Sequence, residues 1–391
     1  MAQDKLHGDG EITQRLFLDR GALKESLEGL LRSVLEEEVS RYLGAQPYER
    51  TEGRRGSRNG TKPRTMKTCV GELRFDVPQV RESGFRTQVF ERYQRSDRAL
   101  VVAMQEMYVK GVSTRKVGEV LQQMGGFELS AATVSRAAAE LDDQVSKWRQ
   151  RRLEGEYRYL IVDARYEKIR SSEGKVVSQA VLIAAGINHE GRREILGVWT
   201  GDSESEQTWG QVFRDLLDRG LTGVQLVVSD AHKGIRKAME RYLQGCLWQR
   251  CKVHWMREAI KKISWKDEKE LIKDLHAIFA SAERAQCLAV AAEIADKWEK
   301  RKPALSAWIV DTLEDCLAVW HLPSNHRRKL CSTNMLERVM RELKRRSRVV
   351  SIFPNQASLM RLMGAVLLEM DEQWQCEHAP YLNMQAVEMT S

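Results

Sequence analysis

The sequence predicts an α/β protein: a mixed β-sheet core, interrupted by an all-helical insertion and preceded by a helical region. Three observations carry that expectation. First, three strand-like runs, Tyr157 to Arg170, Val176 to Ile187 and Arg192 to Trp199, follow one another, and Ser171-Ser172-Glu173-Gly174 is a clear hairpin signal. Second, helix and strand then alternate: a helix over about 204–219 closed by Gly220, a strand Val224–Ser229, a helix over about 234–243 and a short strand Cys246–Cys251. Third, residues 255–325 break the alternation with amphipathic, Ala- and Lys-rich stretches that hold five of the ten tryptophans (255, 265, 298, 308 and 320). A structureless loop of that length is out of keeping with a compact domain. The tryptophans are therefore read as the packing core of a helical insertion, with the alternative that one stacks on a displaced base.

The elements before the sheet are less uniform. Residues 11–45 read as helical, with Leu23, Leu27, Leu30, Leu31, Val34 and Leu35 at helical spacing and Glu36, Glu37 and Glu38 turned outward. From Arg50 to Lys67 the chain is rich in Gly and charge and holds too little apolar surface to fold alone. It reads either as a solvated linker or as an arm on DNA phosphates, with Arg54, Arg55 and Arg58 as its contacts. A β-like segment follows from Cys69 to Val80. Residues 96–149 read as three helices, the second opening at Ser113 and the third running from Ser130 to Trp148 after a break at Met124-Gly125-Gly126. Short helices, a glycine turn and a helix opening with Ser, Thr, Ser and Arg resemble a helix-turn-helix unit, with Arg115, Thr133, Ser135 and Arg136 as candidate DNA contacts.

The expected division is a helical segment 1–47, a basic arm and β segment 48–95, a helix-turn-helix region 96–150, core halves 151–254 and 326–376 around the insertion 255–325, and a loosely ordered tail 377–391. At 391 residues the chain has room for two or three cores. No apolar run approaches the roughly 18 residues of a membrane span, and the first ten residues lack the apolar centre of a signal peptide. Seven scattered cysteines fit reduced thiols, so a cytoplasmic location is expected. A net charge of +8 suits a polyanionic partner.

Three acids occupy settings that composition does not explain. Asp163 interrupts the apolar run Tyr159-Leu160-Ile161-Val162, where an unpartnered carboxylate is costly. Asp230 closes the run Val224–Ser229 at a strand-to-helix junction, where helix capping is an ordinary role. Glu337 lies on a basic helical stretch and could simply pair with Arg341 one turn on. Brought together, the three would make an oxygen-rich site for divalent metal in a basic setting, as phosphodiester chemistry needs. Arg338, Arg341, Lys344 and Arg345 would supply cations for phosphates beside it.

The blocks around these acids are specific. Asp163-Ala164-Arg165-Tyr166-Glu167-Lys168-Ile169-Arg170, Ser229-Asp230-Ala231-His232-Lys233-Gly234 and Ser332-Thr333-Asn334-Met335-Leu336-Glu337-Arg338 resemble the three catalytic blocks of the bacterial Mutator-type DDE transposases. Tyr48-Glu49-Arg50 through Arg58-Asn59-Gly60, Gly71 through Pro78, Tyr108 through Arg115 and Leu129 through Arg136 extend the resemblance to about residues 10–375. The resemblance implies an RNase H-like core, a catalytic and metal-binding triad on Asp163, Asp230 and Glu337, and an insertion between the second and third acids. It implies an enzyme of bacterial cytoplasm, nucleoid-associated on DNA. Such an enzyme binds the terminal inverted repeats of an insertion sequence, cuts with two Mg²⁺ ions (Mn²⁺ substituting) and joins the ends to target DNA as a homodimer or larger assembly. Met340 departs from the Asn common in relatives.

The family's Cys-x-x-His element falls on Cys251-Lys252-Val253-His254. It supplies half a zinc site's ligands, which His321 and His326 are spaced to complete, but the preferred reading is a brace near the acids, without zinc. His232 is either a support for Asp230 or a surface histidine. Two rival functions stay open: a catalytically silent DNA-binding repressor of the element, and a stand-alone nuclease on the same core.

Overall fold

The structure, a computed structural model, describes residues 20–81, 84–91, 95–126 and 128–384. The chain divides into two compact units between Glu140 and Leu141.

In the first unit, α1 (Arg20–Leu43) buries Leu35, Val39 and Leu43, whereas Leu30 and Val34, expected in its apolar stripe, are exposed. Residues 11–19 of the expected helix lie outside the described residues. The segment read as a linker or arm is in large part a strand. β1 (Arg58–Thr68) pairs antiparallel with β2 (Gly71–Val80), Met66 opposite Leu73. High charge concealed it, because only its last residues turn apolar side chains inward, onto a small core of Leu35, Leu73, Phe75 and Phe90. Arg58 is held within this unit: its guanidinium donates to Glu36 at 3.2 Å and to Ser40 Oγ at 2.8 Å.

Three short helices follow, α2 (Arg98–Val109), α3 (Thr114–Gly125) and α4 (Ala131–Ala139). Asp97, Ser113 and Ser130 cap them, each side-chain oxygen accepting the N–H three residues on. Gly126 ends α3 at φ +69°, a conformation glycine adopts without strain. Leu100, Met104, Val117, Leu121 and Val134 form the core of the three. The expected third helix does not run on to Trp148. It stops at Ala139, and α5 (Leu141–Gln150) starts the second unit.

The second unit is built on a five-stranded sheet in the order β5-β4-β3-β6-β7, from β3 (Tyr157–Arg170), β4 (Val176–Asn188), β5 (Arg193–Gly201), β6 (Leu226–Ser229) and β7 (Leu247–Arg250). The first three strands are antiparallel; β6 and β7 run parallel to β3. This is the mixed sheet the sequence predicts. Between the strands, α6 (Glu206–Asp218) and α7 (Lys233–Tyr242) lay Trp209, Phe213, Leu216, Ile235 and Met239 against the face of β3 that carries Leu160 and Val162. Alternation along a strand sends Tyr159, Ile161, Asp163 and Arg165 to the opposite face.

From α8 (Lys252–Ile260) the chain continues through α9 (Glu268–Ala280), α10 (Arg284–Glu299), α11 (Pro303–Thr312) and two short 3₁₀ turns. These helices have their own core, as expected of an insertion. Trp255 and Trp298 are fully buried, Trp255 stacks on Trp308 with ring centroids 5.0 Å apart, and Trp320 packs beside them. Trp265 is the exception at 80% exposed. The chain then returns through α12 (Ser324–Leu330), α13 (Asn334–Val350) and α14 (Gln356–Gln375). Between the last two, Phe353 bridges in parallel to Ile169 and lengthens the sheet by one rung.

The tail is better ordered than its composition suggests as far as Met384. Leu382 donates its N–H to Gly191 O at 3.0 Å, and Leu382 and Met384 are buried; residues 385–391 lie outside the described residues. Every cysteine is a free thiol, and among the described residues no helix is long and apolar enough to cross a membrane.

Candidate active site

The register of β3 on β6 brings the first two acids together. Tyr159 pairs with Leu226, Leu160 with Val227 and Ile161 with Val228. The ladder ends there, two residues short of Asp163 on β3 and two short of Asp230 on the other segment, so both acids follow the last rung on neighbouring stretches of chain. β6 ends at Ser229, so Asp230 stands at the carboxyl end of a parallel strand, where open α/β sheets place their sites.

Asp163 is half-buried, and its carboxylate accepts one hydrogen bond, from the N–H of Ala164 at 2.9 Å. Burial pushes its pKa up to about 6, helped by the negative charges of Asp230 and Glu204 and opposed by the Ala164 bond and by His254. An acid that lifts the pKa of its neighbour shares its electric field, so Asp163, Asp230 and Glu204 form one acidic locus. Glu204 is itself raised, first by burial and then by Asp230. The sequence reading missed it. Its signal was position, directly before the Ser205 cap of α6. Gly234 explains the proximity: a Cβ there would come within 2.7 Å of the Ser205 carbonyl carbon, so only glycine lets the start of α7 close on the start of α6.

Glu337 reaches the same side of the sheet from α13. Arg165, on the Asp163 face of β3, donates to the carbonyl of Met340 at 3.0 Å, one turn beyond Glu337, and pairs with Glu167. Arg165 thus ties the strand of the first acid to the helix of the third. The departure at Met340 leaves this tie intact, because the contact is to backbone. The Glu337 carboxylate accepts a hydrogen bond from Arg257 on α8 at 3.0 Å. Among the described residues no three His, Cys, Asp or Glu side chains are gathered closely enough to hold a metal ion. Hard oxygen donors at Asp163 and Asp230, the former with no cationic side chain hydrogen-bonded to it, suit Mg²⁺. Glu337 would complete the set only on leaving Arg257.

Cys251 and His254 lie beside these acids. The Cys251 N–H donates to Ser229 O at 2.7 Å, and its buried sulfur accepts the N–H of Thr333 at 3.3 Å, linking the end of β6 to the start of α13. Burial disfavours its thiolate, yet hydrogen bonds from His254 and Thr333 outweigh burial and lower its pKa. His254 is raised, chiefly by that bond to Cys251 against the effect of burial, and further by Asp163 and Asp230. Its Nδ1 is buried without a hydrogen-bond partner. His326 spends both ring nitrogens elsewhere, Nδ1 on Tyr159 Oη at 3.0 Å and Nε2 on Asn383 O at 2.8 Å, which removes it from the imagined zinc set. His232 caps α7, its Nδ1 accepting the Gly234 N–H at 3.2 Å, while its own N–H donates to Asp230 at 3.3 Å.

The exposed side of α13 is strongly basic. At 100° per residue, Glu337, Arg338, Arg341, Lys344, Arg345 and Arg348 fall in one arc of about 120°, with Glu337 the lone acid. Arg345 is tied to Glu342 at 3.0 Å. Arg338, Arg341 and Arg345 also line a cavity of about 420 Å³ between α13 and α14. In the first unit Arg55, Arg115, Ser135 and Arg136 are exposed; Arg54 bonds to Gly56 O, and Thr133 accepts from Arg136 at 3.3 Å.

Comparison with known proteins identifies the family. The family described as "Transposase, Mutator family" matches residues 3–377. The transposase for insertion sequence element ISRM5 of Rhizobium meliloti is 43% identical over 369 residues, 94% of this chain and 92% of the relative. That for IS406 of Burkholderia multivorans is 44% identical over 353 residues, 90% of each chain. That for IS256 in transposon Tn4001 of Staphylococcus aureus is 38% identical over 365 residues, 92% of this chain and 93% of the relative. With the family matching nearly the whole chain and relatives above 40% identity over at least 90% of it, the chain belongs to the Mutator family of transposases.

Proposed function

We propose that the protein is the DNA transposase of an insertion sequence and that it cleaves and transfers strands at an Asp163-Asp230-Glu337 centre on an RNase H-like core. The observation that carries this reading is Asp163 itself, lifted to about pKa 6 by burial and by the nearby charge of Asp230, with no cationic side chain hydrogen-bonded to it among the described residues. A purely structural site would neutralise or replace such a carboxylate. Two Mg²⁺ ions, for which Mn²⁺ can substitute, would supply activation of the attacking water or 3′-hydroxyl and stabilisation of the departing oxygen.

The chain's own residues perform the rest. Asp163 and Asp230 are fixed on adjacent strands, so they hold their oxygens without reorganising. Arg165 and Cys251 set α13 against them. Arg338, Arg341, Lys344 and Arg345 form a track on which a phosphate backbone is neutralised rather than read. The three-helix unit of α2, α3 and α4, read as a helix-turn-helix, recognises the terminal inverted repeats through the exposed face of α4, with Ser135 and Arg136 as contacts. Target DNA and a second protomer complete the working assembly.

Asp163→Ala, Asp230→Ala and Glu337→Ala should each abolish cleavage and strand transfer while end binding in gel shifts stays near wild type. Full activity in any one removes that residue from the centre. Loss of sequence-specific end binding in Arg136→Ala, with the catalytic unit still folded, tests the recognition helix; unchanged binding would move recognition elsewhere.

A further inference from the structure

Resting on that reading, the geometry points to Arg257 as an exchangeable counter-ion that couples DNA arrival to completion of the metal site. We infer that its guanidinium is held by Glu337 in the DNA-free protein and passes to a backbone phosphate when DNA docks, which frees the Glu337 carboxylate for the cation.

Four observations lead there. Arg257 donates to Glu337 at 3.0 Å, while among the described residues no cationic side chain is hydrogen-bonded to Asp163 or Asp230, so of the three acids it is the third that a described side-chain cation engages. No three acids are gathered into a ready site among the described residues, as expected if one ligand is held back. The Arg257 side chain is 56% exposed against 24% for Glu337, so the arginine can turn to a solvent-side ligand while the carboxylate stays at the centre. Finally, Arg257 lies on α8, the first helix of the insertion, whose start is bonded to Cys331 O and Ser229 O, whereas Glu337 lies on α13. The two helices are fixed to the same strand end, and the long arginine stem is the movable part.

Electrostatics gives the exchange its direction. An ion pair with a largely exposed arginine contributes little to stability, so it is broken without large cost. A phosphate offers guanidinium a bidentate partner at least as good as a carboxylate. Glu337 then meets a divalent cation, and both charges are better matched than before. Metal binding and DNA binding would therefore strengthen one another reciprocally. Arg257 is a positioning residue in this scheme, since it acts on the cation through Glu337.

The test uses full-length protein and Mn²⁺ as probe, with free Mn²⁺ read by electron paramagnetic resonance, with and without an uncleavable element-end duplex. In DNA-free protein Arg257→Gln should raise Mn²⁺ affinity about fivefold or more, in the range of ordinary coupling. The gain in affinity that DNA confers on wild type should shrink by the same factor, and Arg257→Lys should fall between. Arg338→Gln removes an equal charge beside Glu337 without touching its ion pair and serves as the reference. An unchanged affinity in Arg257→Gln overturns the proposal, as does an equal rise in both variants or an undiminished DNA effect. Glu337→Gln separates the two levels of argument: if it leaves DNA-bound Mn²⁺ affinity unchanged, Glu337 is not a ligand and the catalytic assignment itself fails.

Discussion

Two aspartates of the second unit are disfavoured by burial and have opposite surroundings. Asp371 on α14 is 1% exposed and fully served: one oxygen accepts the Ile195 N–H at 2.7 Å, the other Trp148 Nε1 at 2.9 Å and Arg151 Nη2 at 3.2 Å. Burial raises its pKa, and Arg151, Trp148 and Ile195 pull it back. Asp163 receives one backbone bond, and its neighbouring acids push the same way as burial. A carboxylate that closes three elements on one another is a structural group. A carboxylate left short of partners in mid-strand costs stability, which fits the proposed role of Asp163 in holding a cation.

The sharpest way to break this contrast is to make the same substitution at both. Asp163→Asn should cut strand cleavage at least a thousandfold, since the Lewis-acid stabilisation it supports is worth several kcal/mol, and should leave a folded protein. Asp371→Asn should do the reverse. It sets an amide NH₂ against the donors of Trp148, Arg151 or Ile195 and should cost about 2–5 kcal/mol of stability, the sum of one or two donors left unanswered, with activity per folded molecule preserved. Cleavage assays paired with chemical denaturation read both. If the two variants lost activity and stability in parallel, Asp163 would be a structural residue like Asp371.

The same contrast explains what could be read in advance. Asp163 was legible because it interrupts a continuous apolar run, a violation visible within six residues. Asp371 was not, because Glu369-Met370-Asp371-Glu372 looks like any charged helix turn and its partners lie 176 and 223 residues away. Strands, their order of appearance and the insertion followed from periodicity. The β1 strand did not, since a hairpin with one solvated face can be nearly all charge and still pair. Glu204 and Arg257 were missed for a related reason: each is ordinary in its own segment and acquires meaning only from an acid on another element.

A finer effect concerns pH. The folded-state pKa of Asp163 is about 6, against 3.8 for the free side chain. The folded protein therefore holds this proton more tightly. Below about pH 3 the group is largely neutral in both states and costs nothing. As pH rises through 6 the stability it allowed is lost, to a limit of about 3 kcal/mol. Asp163→Asn removes the titration, so without metal the variant should be more stable than wild type at pH 7.5 and close to it at pH 3. Adding Mg²⁺ should stabilise wild type and not the variant. A variant less stable than wild type at pH 7.5 would show that Asp163 gains more from its surroundings than it loses.

The smallest effect tests the other side of the comparison. Trp148→Phe removes one of the hydrogen bonds to Asp371 while keeping most of the apolar ring that packs in α5. Its indole Nε1 donates to an ionised, buried oxygen, so the loss should be about 1.5–3 kcal/mol, below that of removing the carboxylate. Arg151 stays 3.2 Å from the same oxygen and its guanidinium lies 5.2 Å from the Trp148 ring centre, so one donor and one stacking surface survive. The double variant Trp148→Phe with Asp371→Asn should cost less than the sum of the two, because the second change removes an acceptor that the first has already left short. Strict additivity in denaturant melts would mean that the indole and the carboxylate act independently, and Asp371 would lose its standing as the satisfied counterpart of Asp163.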